Sequence, residues 1–89
     1  MEYAQTWDDE AEEQLADLWI AAADRGNITA AQHQIERALL RNPKGAGREV
    51  SEGLWRIDVY PLKVFYEIHE QKRLVKVTAV GPLPGGAPS

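Results

Sequence analysis

Apolar positions recur every three or four residues in the first half of this chain and every two residues in the second. Ala11, Leu15, Leu18, Trp19 and Ala22 form a stripe behind Asp8 and Asp9, either of which suits a helix N-cap, so a first helix is expected to run to about Asp24. Arg25-Gly26-Asn27 interrupts it, with Gly26 a natural residue just past a helix end. A second helix, capped by Asn27 or Thr29, then carries Ile28, Ala31, Ile35, Ala38 and Leu39 on one side to about Arg41. Asn42-Pro43 stops it, because the residue before proline is steered out of the helical region. Two helices joined by so short a link are expected to form an antiparallel hairpin. Residues 2–6 are a weak strand candidate, and Lys44–Gly47 reads as a loop.

From Arg48 the pattern alternates. Arg48–Ser51 is a short strand candidate and Glu52-Gly53 a turn. Trp55, Ile57 and Val59 alternate with Arg56, Asp58 and Tyr60; Pro61-Leu62 turns the chain. Val64, Tyr66 and Ile68 alternate with Lys63, Phe65, Glu67 and His69; after a polar loop over Glu70–Arg73, Val75, Val77 and Ala79 alternate with Lys76, Thr78 and Val80. Such strands form an antiparallel meander with one face on the helices and one toward water. The expected fold is α+β: a short first strand, then an αα-hairpin packed on a three- to four-stranded antiparallel sheet. Trp55, Ile57, Val64, Tyr66, Val75 and Val77 are the expected core, and Trp7 and Trp19 read as further packing residues. The domain is expected to span residues 1–81, and Pro82 to Ser89, rich in Pro and Gly, to be a flexible tail.

Composition narrows the class of protein. Eighty-nine residues with 44% hydrophobic content make one domain with a modest core, so a partner chain or a homodimer contact is expected to supplement it. No cysteine is present, which removes disulfides, thiolate metal sites and a cysteine nucleophile. The start, MEYAQTWDDE, has neither the basic beginning nor the apolar run of a signal peptide, and no apolar run nears a membrane span, so cytoplasmic placement is expected. Charge is unevenly spread. Residues 1–24 hold eight acids and no Lys or Arg (−8), and residues 25–89 hold ten bases and six acids (+4), which together give the net −4. A net acidic chain lacks general affinity for nucleic acid, which needs a concentrated positive patch. Acids near a helix start also favour its positive dipole end.

Candidate chemistry collects on the polar sheet face. Arg56, Lys63 and Lys76, on neighbouring strands, could form a cationic platform for a phosphate or an acidic segment; the plainer reading is cross-strand pairing with Asp58, Glu67 and Glu70, worth ~0.2–1 kcal/mol per pair. His69 has the titration range of a general base, yet a histidine at a strand end is also at home in water. Tyr60 and Phe65, with Leu54, would make an apolar patch suited to partner docking. His33 reads as surface, and two histidines on separate elements make no metal motif. Lys44 with Gly45 and Gly47 lacks the preceding strand and following helix of a phosphate loop. No metal or cofactor is expected.

The short first strand, the helical hairpin and the sheet sequence EGLWRIDVYPLKVFYEIHEQKRLVKVTAVG resemble the RelE/ParE superfamily of toxins from bacterial type II toxin–antitoxin pairs, familiar from plasmid stabilisation. Leu54–Tyr60 matches the family's short strand before a polar turn, Lys63–Gly81 its following hairpin, and Tyr66 its recurrent aromatic position; Leu15-x-x-Leu18-Trp19 and Asn42-Pro43 add to the likeness. The resemblance implies a cognate antitoxin and one of two activities: RelE-like cutting of messenger RNA on the ribosome by basic residues and a C-terminal tyrosine, or ParE-like poisoning of DNA gyrase without a nuclease centre. Arg56 and Lys63 match basic positions of the family, and His69 completes the candidate catalytic set; Tyr60, Phe65 and Lys76 are the candidate partner-binding set. Asp58 stands where the nuclease branch has a further base, Gly81-Pro82-Leu83 offers no arginine, and no tyrosine follows Tyr66, so the ribonuclease set is incomplete. The alternative is a toxin fold without chemistry that serves as a protein-binding module.

Overall fold

A computed structural model describes residues 3–84. β1 (Ala4–Trp7) leads into α1 (Asp9–Ala21), α2 (Arg25–Arg41) and a one-turn helix α3 (Pro43–Ala46); β2 (Arg48–Ser51), β3 (Leu54–Val59), β4 (Leu62–His69) and β5 (Leu74–Pro82) follow, with a 3₁₀ turn over Glu70–Lys72. The sheet has five strands in the order β1-β5-β4-β3-β2. The meander β2 to β5 is antiparallel as expected, whereas β1 pairs with β5 in parallel, Gln5 opposite Val75 and Trp7 opposite Val77. Both long helices pack on one face. α1 lies chiefly against β5, while α2 touches β1, β3 and β4. The core joins Ala11 of α1 and Ile28, Ala31, Ile35 and Leu39 of α2 to Ile57, Leu62, Val64, Tyr66, Val75, Val77 and Val80 of the sheet.

The helix ends differ from the expectation. α1 stops at Ala21, and Gly26 lies inside the first turn of α2, whose N-cap is Asp24: its side chain accepts a hydrogen bond from the Asn27 amide at 3.2 Å. Arg25 helps close α1, donating to the carbonyls of Trp19 (3.1 Å), which also accepts the Ala22 amide at 3.4 Å, and of Ile20 (3.2 Å). The Lys44–Gly47 loop is replaced by α3, capped by the Asn42 side chain through the Gly45 amide at 3.1 Å. Gly47 follows because a Cβ there would collide with the Arg56 carbonyl and the Tyr66 hydroxyl. Tyr66 itself is fully buried, donates to the Pro43 carbonyl at 2.6 Å, and stacks on Trp55. Burial pushes its hydroxyl pKa up to about 12.

The inward and outward assignment holds for most of the meander but inverts near the end of β5. Phe65 pairs with Ala79 and Tyr66 with Val77, so Thr78 is an extra residue in a bulge, and beyond it Val80 is buried while Ala79 turns away. Leu62, expected in a turn, is fully buried opposite Pro82. The strand runs on through Gly81 to Pro82, the first residue of the expected tail; residues 85–89 of that tail lie outside the described residues. Among the described residues no helix is long and apolar enough to cross a membrane.

Candidate functional site

The outer sheet face is built by β3, β4 and β5, and the register fixes which of its side chains meet. Arg48 of β2 lies directly opposite Arg56, Arg56 opposite Phe65, and Asp58 opposite Lys63. Two arginines placed directly across a strand pair repel, so this corner needs a counter-charge. Asp58 supplies one: its carboxylate accepts from Arg56 Nε at 2.7 Å and Nη2 at 3.1 Å. These hydrogen bonds hold the Arg56 guanidinium above its ordinary pKa. The guanidinium also covers the Phe65 ring at 5.9 Å. Lys63 forms no ion pair among the described residues, and Gly81 lies beside its aliphatic stem.

The rest of the candidate set is dispersed. His69 ends β4 opposite Leu74 and contacts the Glu67 carboxylate at 3.2 Å. Six residues of extended strand, roughly 20 Å at about 3.3 Å each, separate it from Lys63. Arg56 and Lys63 are thus neighbours, while His69 faces a different part of the surface. Lys76 sits opposite Glu67 and reaches Asp8 at 3.8 Å. Tyr60 is 58% exposed in the β3–β4 turn at the other end of the face. Tyr60, Phe65 and Lys76 therefore do not converge on one patch. A second polar cluster joins Lys44 to Glu70; Glu70 also accepts from the Tyr3 hydroxyl at 2.8 Å, and Arg73 covers the Tyr3 ring at 4.9 Å. The hydrogen bond from Lys44, then that from Tyr3, holds the Glu70 carboxyl below its ordinary range. It links α3, the β4–β5 turn and the start of β1. Among the described residues no group of three or more His, Cys, Asp or Glu is placed to hold a metal ion.

A feature on the helix side carries none of the predicted site residues. Trp19, expected in the core, is 42% exposed, and Ile20 beside it is 65% exposed. Glu12, Leu15, Ala16, Trp19 and Ile20 line a groove of about 510 Å³ with Trp7 of β1 and Gln32 and Glu36 of α2. The groove opens because each helix follows its own part of the sheet and the two touch only lightly. Its floor is fixed by hydrogen bonds: Trp7 Nε1 donates to Gln5 Oε1 at 2.8 Å, and Gln5 Nε2 donates to the Glu36 carbonyl at 3.1 Å. The sequence held one signal of it. Ala16 and Ile20 add apolar positions beside the Ala11, Leu15, Leu18, Trp19 and Ala22 stripe, more than one packed face requires.

The family model for the ParE toxin of the type II toxin–antitoxin system parDE matches residues 6–82. No curated protein matches the sequence significantly. Similar solved structures include the RelBE2 toxin–antitoxin complex from Mycobacterium tuberculosis, at 16% identity over 92% of each chain with a TM-score of 0.78. The E. coli toxin RelE in the free state, in a mutant form, aligns at 17% identity over 97% of this chain and 88% of that one, with a TM-score of 0.65. The chromosomal ParDE system from P. aeruginosa aligns at 13% identity over 91% and 96%, also with a TM-score of 0.65. At these identities the likeness is one of fold: helices on one face of a mostly antiparallel sheet.

Proposed function

Because the chain belongs to the family of ParE toxins and is the toxin component of a type II toxin–antitoxin pair, we propose that it arrests growth in the cytoplasm by binding DNA gyrase, without cutting RNA, until a cognate antitoxin neutralises it. The observation that carries this reading is the dispersal of the candidate catalytic residues. Cleaving RNA through its 2′-hydroxyl needs a base, an acid for the leaving oxygen, and cations for the developing charge, all within reach of one phosphate. Here Arg56 is tied to Asp58, and His69 is six residues along β4 from Lys63. Arg48, Arg56, Lys63 and Phe65 instead present a small cationic surface with an aromatic base, which suits docking on a macromolecule.

The test is a supercoiling assay with purified gyrase and the purified chain. The reading expects inhibition by the wild type and at least a tenfold weaker effect from Arg56→Ala/Lys63→Ala of unchanged circular dichroism. Unimpaired supercoiling at saturating wild-type chain would refute the gyrase assignment. Transcript cleavage by the purified chain would favour the ribonuclease reading instead.

A further inference from the structure

The cations of the outer sheet face are not equivalent. Asp58 sits directly across from Lys63, the arrangement that favours a cross-strand pair, yet its carboxylate turns along its own strand to the Arg56 fork, at 2.7 and 3.1 Å. Lys63 leans the other way. A Cβ on Gly81 of β5 would come within 3.1 Å of Lys63 Cε, so the lysine stem lies over a residue whose lack of a side chain leaves it room. Arg48, opposite Arg56 on the edge strand β2, is exposed, and its neighbour Glu49 is occupied with the Gly53 amide at 2.9 Å. Neither Arg48 nor Lys63 forms an ion pair among the described residues.

The result is a closed centre between two open cations. The Arg56 and Asp58 side chains are only 25% and 28% exposed, cancel each other's charge, and lie against Phe65, whose ring centroid is 5.9 Å from the guanidinium. Both stand on β3, with Arg48 on β2 to one side and Lys63 on β4 to the other. Arg48 and Lys63 are two strand spacings and two residues apart in register. That places their Cα atoms roughly 12 Å apart, at about 4.8 Å per strand and 3.3 Å per residue.

This spacing decides what fits. A polynucleotide strand carries a phosphate about every 3.4 Å, so one laid from Arg48 to Lys63 brings roughly three phosphates over the centre. There the guanidinium fork is already taken and a carboxylate faces them. In an extended peptide, residues i and i+4 lie about 13 Å apart. Two carboxylates at that spacing reach both open cations, and uncharged residues between them cover the neutral centre. We propose that the outer sheet face seats an acidic protein segment whose two separated carboxylates pair with Arg48 and Lys63, and that Asp58 is the specificity-determining residue that turns polynucleotides away. Resting on the reading above, that segment is one that gyrase presents. Asp58 thus acts by penalising the wrong partner, while Arg48 and Lys63 attract the right one.

The experiment titrates the isotope-labelled full chain, followed by amide NMR shifts, with three probes at low salt. The first is a 14-residue peptide with two glutamates four residues apart in a neutral background, the second its isomer with the glutamates adjacent, and the third a 12-nucleotide single-stranded RNA. The spaced peptide is expected to shift the amides around both Arg48 and Lys63 and to bind at least fivefold more tightly than its isomer. Arg48→Ala and Lys63→Ala should each abolish that preference. Asp58→Asn is expected to bind the RNA at least tenfold more tightly than the wild type, whereas Asp17→Asn, the same charge change on α1, should alter it less than twofold. Absence of peptide binding, equal binding of the two peptides, shifts confined to other surfaces, or an RNA affinity that Asp58→Asn leaves unchanged or raises no more than Asp17→Asn does would overturn the proposal. A chain that selects the spaced peptide but leaves gyrase unimpaired refutes the reading above alone. A gyrase inhibitor whose Asp58→Asn variant gains no RNA affinity refutes this proposal alone.

Discussion

The outer sheet face and the helix-side groove treat the same ingredients in opposite ways. On the sheet face the most prominent cation is already answered from within the chain: Asp58 grips Arg56 by two hydrogen bonds, and Arg56 covers Phe65. In the groove the apolar residues are left open and the rim acids lack bases of their own. A surface whose charges satisfy one another is stable alone and modest as a binding site. One left unsatisfied is completed by something else.

The largest expected effect removes the frame behind both surfaces. Leu62→Ala empties a fully buried position beneath the β3–β4 turn and is expected to cost about 2–5 kcal/mol, seen as a lower urea midpoint or loss of folding. The next concerns Tyr66. Because its folded pKa is raised to about 12 from 10.0, the unfolded chain loses the hydroxyl proton first as pH rises. The contribution is fully present below pH 10 and is lost between 10 and 12, on the order of 2–3 kcal/mol. Tyr66→Phe should unfold more easily at neutral pH, by about 1–3 kcal/mol, and lose that alkaline component in a pH series of denaturant melts.

Two smaller effects separate the faces. Asp58→Ala is expected to release Arg56, so that the folded chain elutes from a heparin column at higher salt than the wild type; unchanged elution would mean that the pair does not mask the face. Trp19→Ala/Ile20→Ala should shift stability by only about 0.5 kcal/mol or less per site, because neither residue belongs to the core. A loss of several kcal/mol there would make the groove a packing surface.

The period-two pattern from Leu54 to Val77 was enough to place Ile57, Val64, Tyr66, Val75 and Val77 inward and Arg56, Lys63 and Phe65 outward, because one buried face fixes a strand's register. The bulge at Thr78 was not legible, since one extra residue leaves no compositional mark while inverting Ala79 and Val80. The boundary between the helices was misread because Gly26 signals an end as readily as it tolerates a first turn; the Asp24 cap and the Arg25 side chain decided it. The parallel pairing of β1 with β5 is a contact across the whole chain, beyond what four local residues encode. For the site, the neighbourhood of Arg56 and Lys63 followed from pattern, and the distance of His69 needed only strand geometry. The groove did not, because Trp19 reads as core until the splay of the two helices is known.

The claim that this toxin acts by binding is tested most directly by mapping transcript 5′ ends by primer extension while induced expression of the chain halts growth. Arrest with an unchanged pattern of 5′ ends is the predicted result. New 5′ ends within coding sequences, absent when Lys63→Ala or Arg56→Ala is expressed instead, would contradict it and return the outer sheet face to catalysis.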